Sequence, residues 1–241
     1  MGIIPVRFLS TRLPGKPLIK VCGKELLVHV YEMAKKVKEF SEVYVATDDE
    51  RIRLLCEKKG IKTIMTSTEC SSGTDRICEA LTNIEADYVI NIQGDEPLFE
   101  PENISKIIKY HIANKTVDVI NVMTKIYDNS EVMNNSVVKV AHNNDNDLIY
   151  LSRSPVPGSK DSSNRIYYKH CGVYGLTREA LVFFGNQDKG RIEKIEDIEM
   201  FRFIENGKIV KIIEIETESI GVDTPEDVRA VEAKMKRNEK I

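Results

Sequence analysis

The chain has 241 residues and a formal net charge of −3, from 35 lysines and arginines against 38 aspartates and glutamates. Hydrophobic residues make up 41% and charged residues 30%, which excludes a disordered chain and fits a folded domain with a full core. Charges of both signs are mixed throughout, which argues against a nucleic-acid-binding face, and no apolar run approaches the ~18 residues of a membrane span.

Residues 2–7 read as a buried β-branched strand, followed by a loop carrying Arg7, Ser10, Thr11, Arg12, Gly15 and Lys16 and closed by Pro17. Apolar residues at helical spacing predict a helix over 24–37. A strand at 42–47, a helix at 49–60 closed by Gly60 and a strand at 61–65 follow. Then come a helix at 74–84, a strand at 87–93 and a helix at 101–114 that opens on Pro101. This β-α-β alternation predicts a mostly parallel sheet flanked by helices.

After residue 117 the pattern changes. Strand-like stretches at 118–126, 136–142, 147–152 and 165–176 predict a small antiparallel extension. The Pro/Gly/Ser-rich segment 154–164 reads as a mobile loop. A helix is expected over 193–205, a strand over 208–216 and a last helix over 225–238. The expectation is one α/β domain, residues 1–241, with an antiparallel lobe over about 118–176.

Five cysteines, Cys22, Cys56, Cys70, Cys78 and Cys171, are scattered without C-x-x-C spacing. They predict free thiols in a reducing cytoplasm, not a zinc site or a disulfide framework. The N-terminus leads directly into a strand and a charged loop, so no secretory leader is expected.

Four segments carry candidate chemistry. The N-terminal loop places cations, hydroxyls and a glycine at the end of a strand, where open α/β sheets bind ligands. That composition suits a triphosphate, although a basic surface loop is the plainer alternative. It is neither a Walker A loop nor a Rossmann G-x-G-x-x-G turn. Asn91–Pro97 (NIQGDEP) puts Asp95 and Glu96 at a strand tip, either as magnesium-binding carboxylates or as an ordinary turn. In Gly221–Val228 (GVDTPEDV), Thr224 and Pro225 open a helix, which leaves Asp223 unexplained. Asp223 and Asp95 could bracket one metal if their strands are neighbours. Ser71–Arg76 leads into a helix N-terminus that either binds an anion, reads a base edge or is simply capped. Glu193, Glu196 and Glu199 share a period with Ile192, Ile195 and Ile198, predicting a helix with carboxylates on one face and a buried opposite side. His170 lies in a strand-like segment with no hydrolase triad around it.

Taken in order, IIPVRFLSTRLPGKPL, VATDDERI, SSGTDRI, VINIQGDEPL, YLSRSPVP, YKHCGVYGLT, IEKIEDIEMFR and GVDTPEDV resemble the 3-deoxy-manno-octulosonate (Kdo) cytidylyltransferases. The resemblance runs from residue 3 to about residue 235. It implies a nucleotide-diphospho-sugar transferase-like fold, magnesium as cofactor and a homodimer. It also implies transfer of CMP from CTP to the anomeric hydroxyl of a sugar acid, with release of pyrophosphate, for lipopolysaccharide or other surface glycans. By matching positions, Arg7, Ser10, Arg12 and Lys16 would hold the triphosphate, with Lys16 nearest the α-phosphate. Ser72, Gly73, Arg76 and Gln93 would select cytosine and ribose, and Asp95 and Asp223 would hold magnesium. Arg153, His170, Tyr174, Glu196 and Glu199 would face the sugar acid, with Lys16, Arg12, Asp95 and Asp223 as the catalytic set.

Three departures from the family pattern leave the acceptor open. Cys70 and Ser71 stand where a histidine is common, Met200 replaces a glutamine, and SPVPGSK lacks a bulky residue. An 8-amino-Kdo, another nonulosonate-like sugar acid or a phosphonate are alternative acceptors. More distant alternatives are a glycosyltransferase using Asp48-Asp49 or Asp95-Glu96 for metal, and a non-catalytic CTP-binding regulator.

Overall fold

The structure is a computed structural model that describes residues 1–9, 13–158, 166–217 and 219–238. The strands are β1 (Gly2–Val6), β2 (Lys20–Val21), β3 (Lys24–Glu25), β4 (Val43–Thr47), β5 (Thr63–Met65) and β6 (Tyr88–Ile92), then β7 (Val119–Lys125), β8 (Lys139–His142), β9 (Leu148–Ser152), β10 (Tyr168–Thr177) and β11 (Lys211–Glu214). The helices are α1 (Leu26–Ala34), α2 (Glu50–Lys58), α3 (Gly73–Ala80), α4 (Pro101–Ala113) and α5 (Asn129–Met133), then α6 (Arg178–Gly185), α7 (Arg191–Glu196), α8 (Phe201–Ile204) and α9 (Pro225–Asn238).

The central sheet runs in the order β11-β7-β10-β6-β1-β4-β5. β1 pairs in parallel with β4 and β6, β4 with β5, and β11 with β7. β10 runs against both β6 and β7, and the β8–β9 hairpin hangs from its first half. The antiparallel strands expected over about 118–176 therefore continue the main sheet. Each face of the sheet carries its own apolar layer. Ile3, Val89 and Leu176 pack with Ile77, Leu181 and Phe184 on one side. Ile4, Val45 and Ile90 pack with Leu27, Ile52 and Ile104 on the other. Burial on both faces explains the unbroken apolar runs of β1, β4 and β6.

The helix expected over 193–205 is two short helices. Asp197 stands in the left-handed region at φ 53° and ends α7. The expected burial pattern of this segment is reversed at two positions: Ile195 is 72% exposed, whereas Glu193 is 2% exposed. Arg202 makes the difference, because its guanidinium meets the Glu193 carboxylate at 2.6 and 2.9 Å and Asp75 at 2.5 Å. Pairing lets charged groups occupy a position that periodicity assigns to an apolar one.

Candidate active site

The parallel strands deliver their C-terminal ends to one cleft of about 1020 Å³. Sheet order puts the tips of β1 and β6 side by side there, as expected for ligand sites in open α/β sheets. Gly15, at φ 70°, turns the chain into a 3-10 turn that opens on Lys16. Only glycine takes up this left-handed conformation readily.

Asp223 comes from the far end of the chain. α9 packs Val231 into a small apolar cluster with Leu13, Val21, Leu26 and Val222, so its N-terminus is drawn to the N-terminal loop. The Val222 amide donates to the Asp95 carbonyl at 2.9 Å, joining the two aspartate segments directly. Thr224 and Asp227 form a reciprocal capping box, and the Asp227 carboxylate also accepts from the Asp223 amide. The Asp223 side chain is thereby held toward Lys16. Lys16 Nζ donates to Asp95 Oδ2 at 2.6 Å and to Asp223 Oδ1 at 3.1 Å. Burial disfavours the ammonium, but the two carboxylates outweigh it and hold the Lys16 pKa above the usual lysine value.

The two carboxylates therefore converge on a single cationic point. That arrangement fits magnesium, which binds through one or two carboxylates and takes its remaining ligands from substrate oxygens and water. Among the described residues no group of three or more His, Cys, Asp or Glu side chains could hold a metal. A site made of Asp95 and Asp223 would draw its other ligands from the nucleotide.

β10 is interrupted between Cys171 and Tyr174, where its register on β7 shifts. The irregularity frees the Gly172 amide, which donates to Glu96 Oε1 at 2.8 Å. Buried Asn121 donates to the Cys171 and Val173 carbonyls on either side. Bulges beside active sites re-aim side chains in this way. Burial, with Asp95 second, pushes Glu96 up to about 7 against the Gly172 hydrogen bond. Glu96 lines the cleft with Asp95, although only Asp95 faces Lys16.

Gln93, Ser72, Gly73 and Arg76 all line the cleft. The anion position at the start of α3 is already filled: the Glu199 carboxylate accepts from the Gly73 amide at 2.7 Å, the Thr74 amide at 3.3 Å and the Thr74 hydroxyl. This corrects the reading of that helix start as an anion site, and the plain capping alternative is met, since the Ser72 hydroxyl accepts from the Asp75 amide at 3.1 Å. Glu199 is tied to the start of α3, and burial raises its pKa. Arg76 is 3% exposed and pairs with Asp48 at 2.8 Å, so it braces the wall from beneath.

Arg153, His170 and Tyr174 also line the cleft. His170 Nε2 is buried without a hydrogen-bond partner, and burial, reinforced by Arg153, lowers its pKa to about 4. Glu196 is not a cleft-lining residue. Its carboxylate accepts from Tyr150, Ser152 and the Arg153 amide, and so fixes the end of β9. Met200 is fully buried in the core, so its departure from the family pattern alters packing and not the cleft surface. Cys70 does line the cleft; burial and Glu79 push its thiol up to about 12. All five cysteines are free.

Arg7 is exposed at the cleft beside β1. Ser10 and Arg12, and residues 159–164 of the expected mobile loop, lie outside the described residues. The sequence reading missed Lys169, whose ammonium pairs with Glu131 at 2.7 Å on the cleft wall, and Lys189. Strand alternation could not have found Lys169, because it and its neighbour His170 both line the cleft. Among the described residues no helix is long and apolar enough to cross a membrane.

Comparison with known proteins agrees with this geometry. A family profile described as "Cytidylyltransferase" matches residues 1–215. The chain is 38% identical to a 3-deoxy-manno-octulosonate cytidylyltransferase of Geobacter metallireducens, covering 98% of this chain and 97% of that one. It is 39% identical to an 8-amino-3,8-dideoxy-manno-octulosonate cytidylyltransferase of Shewanella baltica, with 97% of each covered. A solved structure of CMP:2-keto-3-deoxy-manno-octonic acid synthetase complexed with CTP superposes with a TM-score of 0.92 at 36% identity, covering 98% of each chain. A match of this length, on a fold that gathers its most distant motifs into one cleft, means that the chain belongs to the cytidylyltransferase family of nucleotidyltransferase enzymes.

Proposed function

We propose that this enzyme transfers CMP from CTP to the anomeric hydroxyl of 3-deoxy-manno-octulosonate, releasing pyrophosphate. The observation that carries this reading is the meeting of Lys16, Asp95 and Asp223 at one point of the cleft. Relatives named for this reaction match the chain over nearly its full length.

In this reading Arg7 and Lys16, with Ser10 and Arg12, face the triphosphate, and Ser72, Gly73 and Gln93 face base and ribose. Asp95 and Asp223 would hold magnesium, which when bound offsets charge on the phosphate oxygens and favours ionisation of the attacking hydroxyl. Lys16 supplies a cation, held raised in pKa, to the oxygens that gain charge as the α-phosphorus is attacked in line. Arg153, His170 and Tyr174 orient the sugar acid. Neutral His170 can accept or donate one hydrogen bond at Nε2 without adding a second cation beside Arg153.

The test is a pyrophosphate-release assay with CTP, UTP, ATP and GTP against Kdo, 8-amino-Kdo and sialic acid. Release with CTP and Kdo above every other pair is the expected result. Turnover confined to 8-amino-Kdo would move the acceptor assignment. No release with any acid would overturn the reading.

A further inference from the structure

Lys139, on β8, is fully buried, and among the described residues its ammonium makes no ion pair. Its ammonium instead donates to three backbone carbonyls: Asn134 at 2.9 Å, Val137 at 2.6 Å, and Arg153. An ammonium has three protons, so its donors are used completely. Burying such a group is costly, and burial lowers its pKa, with the Arg153 charge second and Glu196 opposing. A buried cation on a strand otherwise able to carry an apolar residue calls for a reason.

The reason lies in what the three carbonyls belong to. Asn134, Val137 and Arg153 all line the cleft. The first two sit on the segment between α5 and β8, and the third follows β9. The Arg153 side chain then reaches onward: Nε donates to the Glu196 carbonyl at 2.7 Å, and the guanidinium also donates to the Asn135 and Asp197 carbonyls. Two cations are thus nested. Lys139 fixes the backbone of Arg153, and Arg153 fixes the segment beyond α7. The next strand is tied in as well, since the His170 amide donates to the Val138 carbonyl at 2.9 Å.

We propose that Lys139 is a positioning residue for the acceptor wall: its three-carbonyl tripod sets the place of Arg153, and through it the seat of the sugar acid. This rests on the acceptor side being the wall of Arg153 and His170. Truncating the ammonium leaves three carbonyls without their donor and frees the Arg153 backbone, while the Lys16–Asp95–Asp223 cluster is built from other elements. The effect falls on one substrate only.

The experiment compares K139M, R153M and the double variant in steady-state kinetics, with CTP and Kdo varied in turn. K139M should raise the KM for Kdo at least 10-fold and leave the KM for CTP within 2-fold. Adding R153M should raise the KM for Kdo further by less than the R153M change in the wild type, because the two residues act as one unit. An unchanged KM for Kdo in K139M, or equal rises for both substrates, would overturn the proposal. So would full multiplicative behaviour in the double variant. If K139M does not accumulate as folded protein, K139Q, which lacks the charge and the third proton, is read by the same criteria. R153M that leaves the KM for Kdo unchanged would show the acceptor wall itself to be misplaced. K139M without effect beside a strong R153M effect would sink the tripod alone.

Discussion

Asp95 and Asp223, from opposite halves of the chain, accept hydrogen bonds from the same Lys16 ammonium. Their side chains are 25% and 31% exposed, so the ion pairs are partly screened and contribute little to stability. In the proposed reaction the convergence matters for charge at the reacting phosphate. Asp223→Asn is expected to lower kcat by about 10²- to 10³-fold, the scale set by removing one preorganised electrostatic partner. Unfolding free energy should move by no more than ~1 kcal/mol. Kinetics at saturating magnesium alongside urea melts check both halves; near-normal turnover would refute the metal role.

The bulge in β10 makes a second prediction. A Cβ on Gly172 would lie 2.6 Å from Gln93 Cγ and 3.0 Å from Glu96 Oε1. Glu96 is held by its bond to the Gly172 amide, and the Gln93 backbone N–H donates to the Gly172 carbonyl, so the Gln93 side chain is the group that must give way. Gly172→Ala should therefore displace Gln93 and raise the KM for CTP several-fold. Overpacking of this kind costs about 1–3 kcal/mol. Steady-state kinetics and a thermal melt would show it, and an unaltered KM would mean that Gln93 does not touch the nucleotide.

Much of this arrangement is legible in the chain itself. Ile3-Ile4 and Val89-Ile90 read as buried strands because both faces of the sheet are covered. The ends of those strands, at Arg7 and Asp95, follow at once. The meeting of Asp95 with Asp223 is an expectation of the motifs and of the resemblance that pattern alone does not establish, since it depends on where α9 docks, and docking is decided by Val222 and Val231 against Leu13 and Leu26. Periodicity misleads at Glu193 and Ile195 because a buried guanidinium, Arg202, replaces apolar burial, and because Asp197 breaks the helix. Glu196 and Glu199 look alike in sequence. One faces β9 and the other α3, a difference created by the break between α7 and α8 that opens at Asp197.

His170 supplies a prediction in pH. Burial, with Arg153 second, lowers its pKa to about 4 from an ordinary 6.5. The unfolded chain takes up a proton below pH 6.5 that the folded chain refuses until about pH 4. The stability linked to this group is therefore full above pH 6.5 and is lost as pH falls toward 4. Relative to His170→Gln, the wild type should lose up to about 1.4 kcal/mol per pH unit across that window. Urea melts of both proteins at pH 7, 6 and 5 measure the difference, and parallel curves would contradict a buried neutral imidazole.

Arg202, on α8, ties α3, α6 and α7 together. It is 2% exposed, its guanidinium joins Glu193 of α7 to Asp75 of α3, and it stacks 3.8 Å from the Phe184 ring of α6. Arg202→Met keeps most of the stem's packing but strands the Glu193 carboxylate, itself 2% exposed, without a counter-charge. Removing one partner of a buried pair costs about 3–5 kcal/mol. The double variant Arg202→Met/Glu193→Leu removes both charges and should recover a large part of that loss, since replacing a whole buried pair by apolar groups is often neutral. Asp75 still loses its partner in the double variant, but it keeps the Ser71 and Ser72 hydroxyls as donors, so recovery is incomplete. Equal destabilisation of the single and double variants in chemical denaturation would mean that Arg202 acts through Asp75 and the Phe184 contact, and not through Glu193.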